Sequence, residues 1–273
     1  NFSTSDVNFI ALSSNSEIAN LTINNNSIIG IPNNNYNFII TTFNCQNTYI
    51  HDLLINDFTD NLGNVGFFSI ICDNVLLENI SLKLGTTSPY NIFNYGIALF
   101  ESNITINNMS ILCDGGIDSN YGIYCEECIY TQSNLTLNNC DITSINNNSN
   151  YGILHDNGNL YLEMNGGSIN SNTYNILFHS LFTGIINGVN FNSNLPATLP
   201  IDSSITCNNC FYVDPANPTS YIPLNHFGQI EYTSGNFTNG DYAGTYSYTG
   251  SNNTITGVNT ARHLVVSNDN TIY

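Results

Sequence analysis

The residues of this 273-residue chain whose types can do chemistry are eight cysteines, five histidines and twenty carboxylates. Cys125-x-x-Cys128 and Cys207-x-x-Cys210 have the spacing of two halves of a four-thiolate zinc site. A second group recurs at similar offsets along the chain: Asp73, Glu101, Glu126 with Glu127, His155 with Asp156, and His179. On one face, such carboxylates would lie about 5 Å and about 10 Å apart, bracketing the separations used by retaining and inverting glycosidases. The same oxygens suit Ca2+. The competing reading, which composition favours, is that these are solvated turn residues, because the acids must lie outside and turns are the outside. No Ser/His/Asp arrangement, phosphate-binding glycine loop or dinucleotide fingerprint occurs.

Whether those groups meet depends on the elements that carry them, and these repeat. Leu21-Thr-Ile-Asn-Asn-Asn-Ser-Ile28 recurs as Ile104-Thr-Ile-Asn-Asn-Met-Ser-Ile111 and as Leu135-Thr-Leu-Asn-Asn-Cys-Asp-Ile142. Weaker copies begin at Thr48, Val75, Leu160, Gly184 and Ile205, making eight copies with steps of 21 to 31 residues. Within a copy the first and third positions are mostly apolar and the second polar, the period of two that a half-buried strand requires. The fifth position reads Asn25, Asp52, Asn79, Asn108, Asn139, Gly188 and Asn209. Stacked asparagines hydrogen-bond along the stack and tolerate left-handed backbone, so this column marks a sharp turn between strands. A second column reads Tyr36-Asn-Phe, Val65-Gly-Phe, Tyr95-Gly-Ile, Tyr121-Gly-Ile, Tyr151-Gly-Ile and Tyr174-Asn-Ile.

Several short strands per repeat, with inward residues stacking on their equivalents, describe an all-β parallel solenoid of about eight coils. Its register reassigns the cysteines. Cys207 takes the inward position of Ile106 and Leu137, and Cys210 that of Met109 and Cys140, so both replace core hydrophobes and no shared metal site is expected. Cys45 and Cys72 lie one repeat apart in one column, which makes them the best disulfide candidates.

The pattern Leu-Thr-Ile-x-Asn-x-x-Ile resembles the repeats of the right-handed parallel β-helix, or pectin-lyase-like, superfamily, over roughly residues 20 to 213. The resemblance implies the fold and leaves activity open, because that superfamily includes polysaccharide lyases and hydrolases, tailspikes, adhesins and inert stalks. Those resembling pectate lyases use an Arg base with acidic Ca2+ ligands; those resembling polygalacturonases use clustered Asp with a His and an Arg-x-Lys pair. Neither set assembles here. Lys83 stands alone, Arg262 lies beyond the repeats, and no Asp-Asp dipeptide occurs.

The division expected is residues 1–20 as an N-terminal cap or assembly strand, 21–213 as the solenoid, and 214–273 as a β-rich C-terminal cap or assembly segment. Hydrophobic residues are 41% and charged residues 8%, so the chain has ample surface to bury and is not an acidic disordered tail. Two basic residues against 20 carboxylates give a net charge of −18, which excludes nucleic acid and anionic membranes as partners and would repel polyuronate. The apolar runs are too short to cross a bilayer as helices. A start at Asn1 reads as a mature product with its targeting signal removed. The near-absence of Lys and Arg removes basic cleavage sites, and the even cysteine count suits an oxidising compartment. Together these point to an extracellular, cell-surface or virion-surface location. The expected function is a non-enzymatic structural solenoid, fibre-forming or adhesive, self-associating through its ends. The alternative is a glycan-active enzyme or glycan-binding module working along the acidic stripe Asp73, Glu101, Glu127, His155 and Asp156.

Overall fold

A computed structural model describes residues 7–23, 36–58, 63–85, 93–115, 118–126, 128–145, 149–179, 182–192, 204–213, 221–224, 237–239, 254–256 and 271–272. The chain alternates between two parallel sheets, and each strand lies on the one a repeat earlier. The first sheet runs in the order β1 (Val7–Leu12), β3 (Tyr36–Phe43), β5 (Gly63–Ile70), β7 (Phe93–Phe100), β9 (Ser119–Glu126), β11 (Ser149–His155) and β13 (Tyr174–Phe178). The second stacks β2 (Glu17–Ile23), β4 (Gln46–Phe58), β6 (Asp73–Gly85), β8 (Asn103–Asp114), β10 (Cys128–Ser144) and β12 (Gly158–Ser171). It continues through β14 (Phe182–Asn187) to β16 (Ser204–Asn208), and through β15 (Asn190–Asn192) to β17 (Cys210–Val213). This is the parallel β-solenoid that the repeat implies.

Alternation along each strand sends one set of side chains into the lumen between the sheets. Ile50, Leu77, Ile106, Leu137, Leu162 and Met164 are among its buried residues. Parallel stacking in register places like on like, so the apolar positions of successive copies form one continuous core.

The sharp bend in the second sheet is set by one column in left-handed geometry: Asn20 (φ 56°), Asp52 (54°), Asn79, Asn108 and Asn139 (each 52°), Gly166 (70°), Gly188 (64°) and Asn209 (51°). Asn and Gly tolerate that region best. Asn108 Nδ2 donates to Asn79 Oδ1 at 3.3 Å, and Asn79 Nδ2 to Asp52 Oδ1 at 3.1 Å. Asn139 continues the column, since its neighbour Asn138 pairs with Asn107.

The structure corrects the register at two copies, those read as beginning at Leu21 and Leu160. Thr48, Val75, Ile104 and Leu135 stack as the repeat requires. The first copy is displaced, because Leu21 pairs with Leu53 and Asn20 takes the place expected of Asn25, which lies outside the described residues. Leu162, two positions after Leu160, is the partner of Leu135. The solenoid counts about four turns against the eight expected, and beyond the Leu160 copy the register returns, because Leu162 pairs with Gly184 and Gly184 with Ile205, which keeps those two copies in column with Leu135. Residues 7–20 of the segment expected to be a cap or assembly strand carry β1 and the start of β2, the terminal strands of the two sheets. Beyond residue 213, β18 (Tyr221–Leu224) pairs antiparallel with β17, and β19 (Phe237–Asn239), β20 (Thr254–Thr256) and β21 (Thr271–Ile272) form a separate parallel sheet. Among the described residues no helix is long and apolar enough to cross a membrane.

Candidate functional site

The acidic stripe does not form as one row. The register of the first sheet aligns Phe43, Ile70, Phe100 and Glu126, and Asp156 follows in that column because its N–H donates to Cys125 O at 3.0 Å. Glu101 sits one position further on, at a left-handed corner (φ 46°) shared with Asn44 (49°) and Ile71 (52°). Asp73 starts the next strand, where its Oδ1 accepts from Asn103 Nδ2 at 3.0 Å. His155 points the other way, into the lumen, because it pairs with Cys125 and is fully buried. Burial pushes its imidazole down to about 4, so it is neutral across the physiological range. Glu127 lies outside the described residues.

What the fold does bring together is a group on the outer side of the first sheet. His179 Nδ1 and Asp156 Oδ1 are 3.0 Å apart, and Tyr124 OH donates to Asp156 Oδ2 at 3.4 Å. Tyr124 is held protonated by burial and by the neighbouring Glu126. Beside it run the rings of Tyr95, Tyr121, Tyr151 and Tyr174, nearly parallel in pairs, with centroids 4.7, 5.2 and 5.9 Å apart. This is the Tyr-Gly-Ile column of the sequence, whose first member is Phe38 and not Tyr36, since Phe38 pairs with Val65. The glycines are required by packing. A Cβ on Gly122 would lie 2.2 Å from Ile142 Cγ2 and 2.5 Å from Gly152 O.

A second group, which the sequence reading missed, ties β2 to β4 near the N-terminal end. His51 Nε2 lies 3.0 Å from Glu17 Oε1 and its Nδ1 2.8 Å from Asp52 Oδ2, and its ring stacks on Tyr49 with centroids 4.3 Å apart. Carboxylates at both nitrogens are satisfied together only by the imidazolium, which has two donors. The hydrogen bonds to Glu17 and Asp52 accordingly raise His51 from its ordinary value. Tyr49 OH donates to Glu78 and is pushed up to about 12 by that bond. The signal was present in the repeat, which stacks position 51 on position 78, but Glu17 became visible only once β2 moved into its true register.

The structure holds no disulfide at the expected pair. Cys45 and Cys72 are stacked neighbours, with Cys45 N–H donating to Cys72 Sγ at 3.4 Å, but both are free thiols. Their S–H groups reach main-chain carbonyls, Cys45 to Leu12 O at 3.0 Å and Cys72 to Ile70 O at 3.2 Å. Cys113, Cys125, Cys140 and Cys210 are likewise buried. Burial pushes Cys113 up to about 12 and Cys140 to about 11, which leaves almost no thiolate at neutral pH. Among the described residues, no three His, Cys, Asp or Glu side chains come together as a metal-binding group.

Polar side chains elsewhere are joined to their own equivalents. Inside, Asn64, Asn94, Asn120 and Asn150 form a buried ladder, each Nδ2 donating to the next Oδ1 at 2.9 to 3.1 Å. Outside, Asn107, Asn138, Asn165, Asn187 and Asn208 form another, with bonds of 2.8 to 3.0 Å donated in the opposite chain direction. Compared with protein-family models, curated proteins and solved structures, the chain matches none.

Proposed function

We propose that this chain is a non-enzymatic structural protein of an extracellular, cell or virion surface, a rigid β-solenoid with a fibre-forming or adhesive role. The observation that carries this reading is the use of its polar side chains. Amides and tyrosines bond or stack to their equivalents in the next coil, inside and out, and so stiffen the stack along its axis. A catalytic constellation needs the reverse arrangement, with unlike groups converging on one point. Membership of the right-handed, pectin-lyase-like superfamily is part of this proposal, carried by the repeat motif. The test is immunogold labelling of intact native material: label on a surface structure is expected, and label confined to a soluble intracellular fraction overturns the reading.

A second reading, a glycan-binding or glycan-active module, is favoured by one observation. The Tyr124–Asp156–His179 group offers hydrogen-bond donors and acceptors beside the tyrosine row. Glycan-array binding and hydrolysis assays on the whole chain, with and without Ca2+, test it. Activity abolished by Asp156→Asn, with Glu101→Gln as the companion variant, would replace the structural reading with this one.

A further inference from the structure

An asparagine followed by glycine is prone to cyclise, because glycine has no Cβ to keep its amide nitrogen away from the preceding side chain. Four such pairs occur in the chain: Asn157-Gly158, Asn165-Gly166, Asn187-Gly188 and Asn239-Gly240. Gly240 lies outside the described residues, and the fold treats the other three differently. Asn165 and Asn187 belong to the outer amide ladder. Asn165 Nδ2 donates to Asn138 Oδ1 and to Glu163 Oε1, each at 3.0 Å, and its Oδ1 accepts from Asn187 Nδ2 at 2.8 Å. Asn187 Oδ1 accepts from Asn208 Nδ2 at 2.9 Å, and the Gly188 N–H that would have to attack is already bonded to Asn208 O at 2.8 Å. Cyclisation at either pair breaks bonds between coils. Asn157 stands apart from the ladder, exposed at the corner between β11 and β12, and the Gly158 N–H donates to its Oδ1 at 2.9 Å. That contact sets the attacking nitrogen beside the side-chain carbonyl it must reach. Gly158 is at positive φ (90°), and no Cβ there opposes closure of the ring.

We infer that Asn157 is a self-modification site, which converts to aspartate and isoaspartate ahead of Asn165 and Asn187. The step balances with water as its only co-reactant. The bond from Gly158 N to Asn157 Cγ forms as the Cγ–Nδ2 bond breaks, and the Gly158 proton leaves with that nitrogen as ammonia. One water then opens the five-membered succinimide, at the side-chain carbonyl to give aspartate or at the main-chain carbonyl to give isoaspartate. Either product sets a further negative charge next to Asp156, whose Oδ1 lies 3.0 Å from His179 Nδ1. Isoaspartate also lengthens the main chain by one methylene at the corner. The reaction is independent of what the solenoid does at a surface.

The test incubates the folded full chain at neutral to mildly alkaline pH, digests it in acid and sequences the peptides by mass spectrometry. The mass gain of an NH exchanged for an O should localise to Asn157 and build up many-fold faster there than at Asn165 or Asn187, with isoaspartate alongside aspartate. In denaturant, where the ladder is lost, the three pairs should convert at similar rates. Asn157→Gln should remove the gain from its peptide, because a six-membered ring closes far more slowly. If that variant does not fold, the rates in the unmodified chain decide. Equal rates at the three pairs in the folded chain, faster conversion at Asn165 or Asn187, a preference for Asn157 that persists unchanged in denaturant, or aspartate without isoaspartate each overturns the inference.

Discussion

Single positions in this chain are judged by the column they occupy. Ile71 stands in a left-handed corner between Asn44 and Glu101, and its side chain is 51% exposed. A β-branched residue there strains the backbone and recovers little by burial. Ile71→Asn should therefore stabilise the protein by about 1 kcal/mol in denaturant titration. A lower unfolding midpoint would mean that Ile71 packs on something that compensates its strain. Ile106 shows the opposite case, fully enclosed in the lumen. Ile106→Asp buries an unpaired carboxylate and should cost about 3 to 5 kcal/mol. Asn107→Asp, one residue on and facing outward, keeps the acceptor used by Asn138 and should change stability by less than about 1 kcal/mol. Equal losses from the two would show inside and outside to be exchanged.

Between elements, glycine controls how closely the two sheets approach and His51 controls how firmly the first coil is held. Gly122→Ala forces a methyl into contact with Ile142 and the Gly152 carbonyl, and overpacking of that kind costs about 1 to 3 kcal/mol. Thermal unfolding of the variant, expected at lower temperature, checks it. The pH dependence follows from the groups around His51: Glu17 and Asp52 in contact, Tyr49 stacked on the ring, and Glu78 in the neighbouring position of β6. Because the folded state raises His51 above 6.5, its contribution is complete below that value and is lost as pH rises through the folded pKa. Asp52, lowered by the same bond, contributes above 3.8 and loses its share as pH falls through its own folded value. Amide exchange in β2 should accordingly accelerate as pH passes from slightly acid to alkaline, after correction for intrinsic rates, and Glu17→Gln should flatten the profile. An unchanged profile in Glu17→Gln would separate the pair from the docking of the coil.

The whole molecule is a stack in which each coil touches mainly its neighbours, with an excess of 18 negative charges distributed over it. Self-repulsion of that size opposes compaction and is screened by salt. Raising ionic strength from 0.01 M to about 0.15 M shortens the screening length from about 30 Å to about 8 Å, and the unfolding temperature should rise with it. A flat or falling response would mean that the carboxylates are already neutralised by bound cations, and would revive the Ca2+ reading.

The sequence by itself determined the parallel solenoid, because stacking equivalent residues is the only way such repeats bury every apolar position at once. Asn108 and Asn139, read as one turn, are one turn, and Tyr95, Tyr121 and Tyr151 do stack. Register and facing were decided by the tertiary structure. The motif at Leu21 is locally a perfect copy, yet pairing with β4 sets Leu21 opposite Leu53 and gives Asn20 the turn. His155 and Asp156 are adjacent in the chain, but a strand has period two, so one faces the core and the other His179. Similar offsets from a motif therefore could not make a single stripe of Asp73, Glu101 and Asp156. A shift of one residue at a corner reverses the face, and only the completed pairing of coil on coil sets that shift.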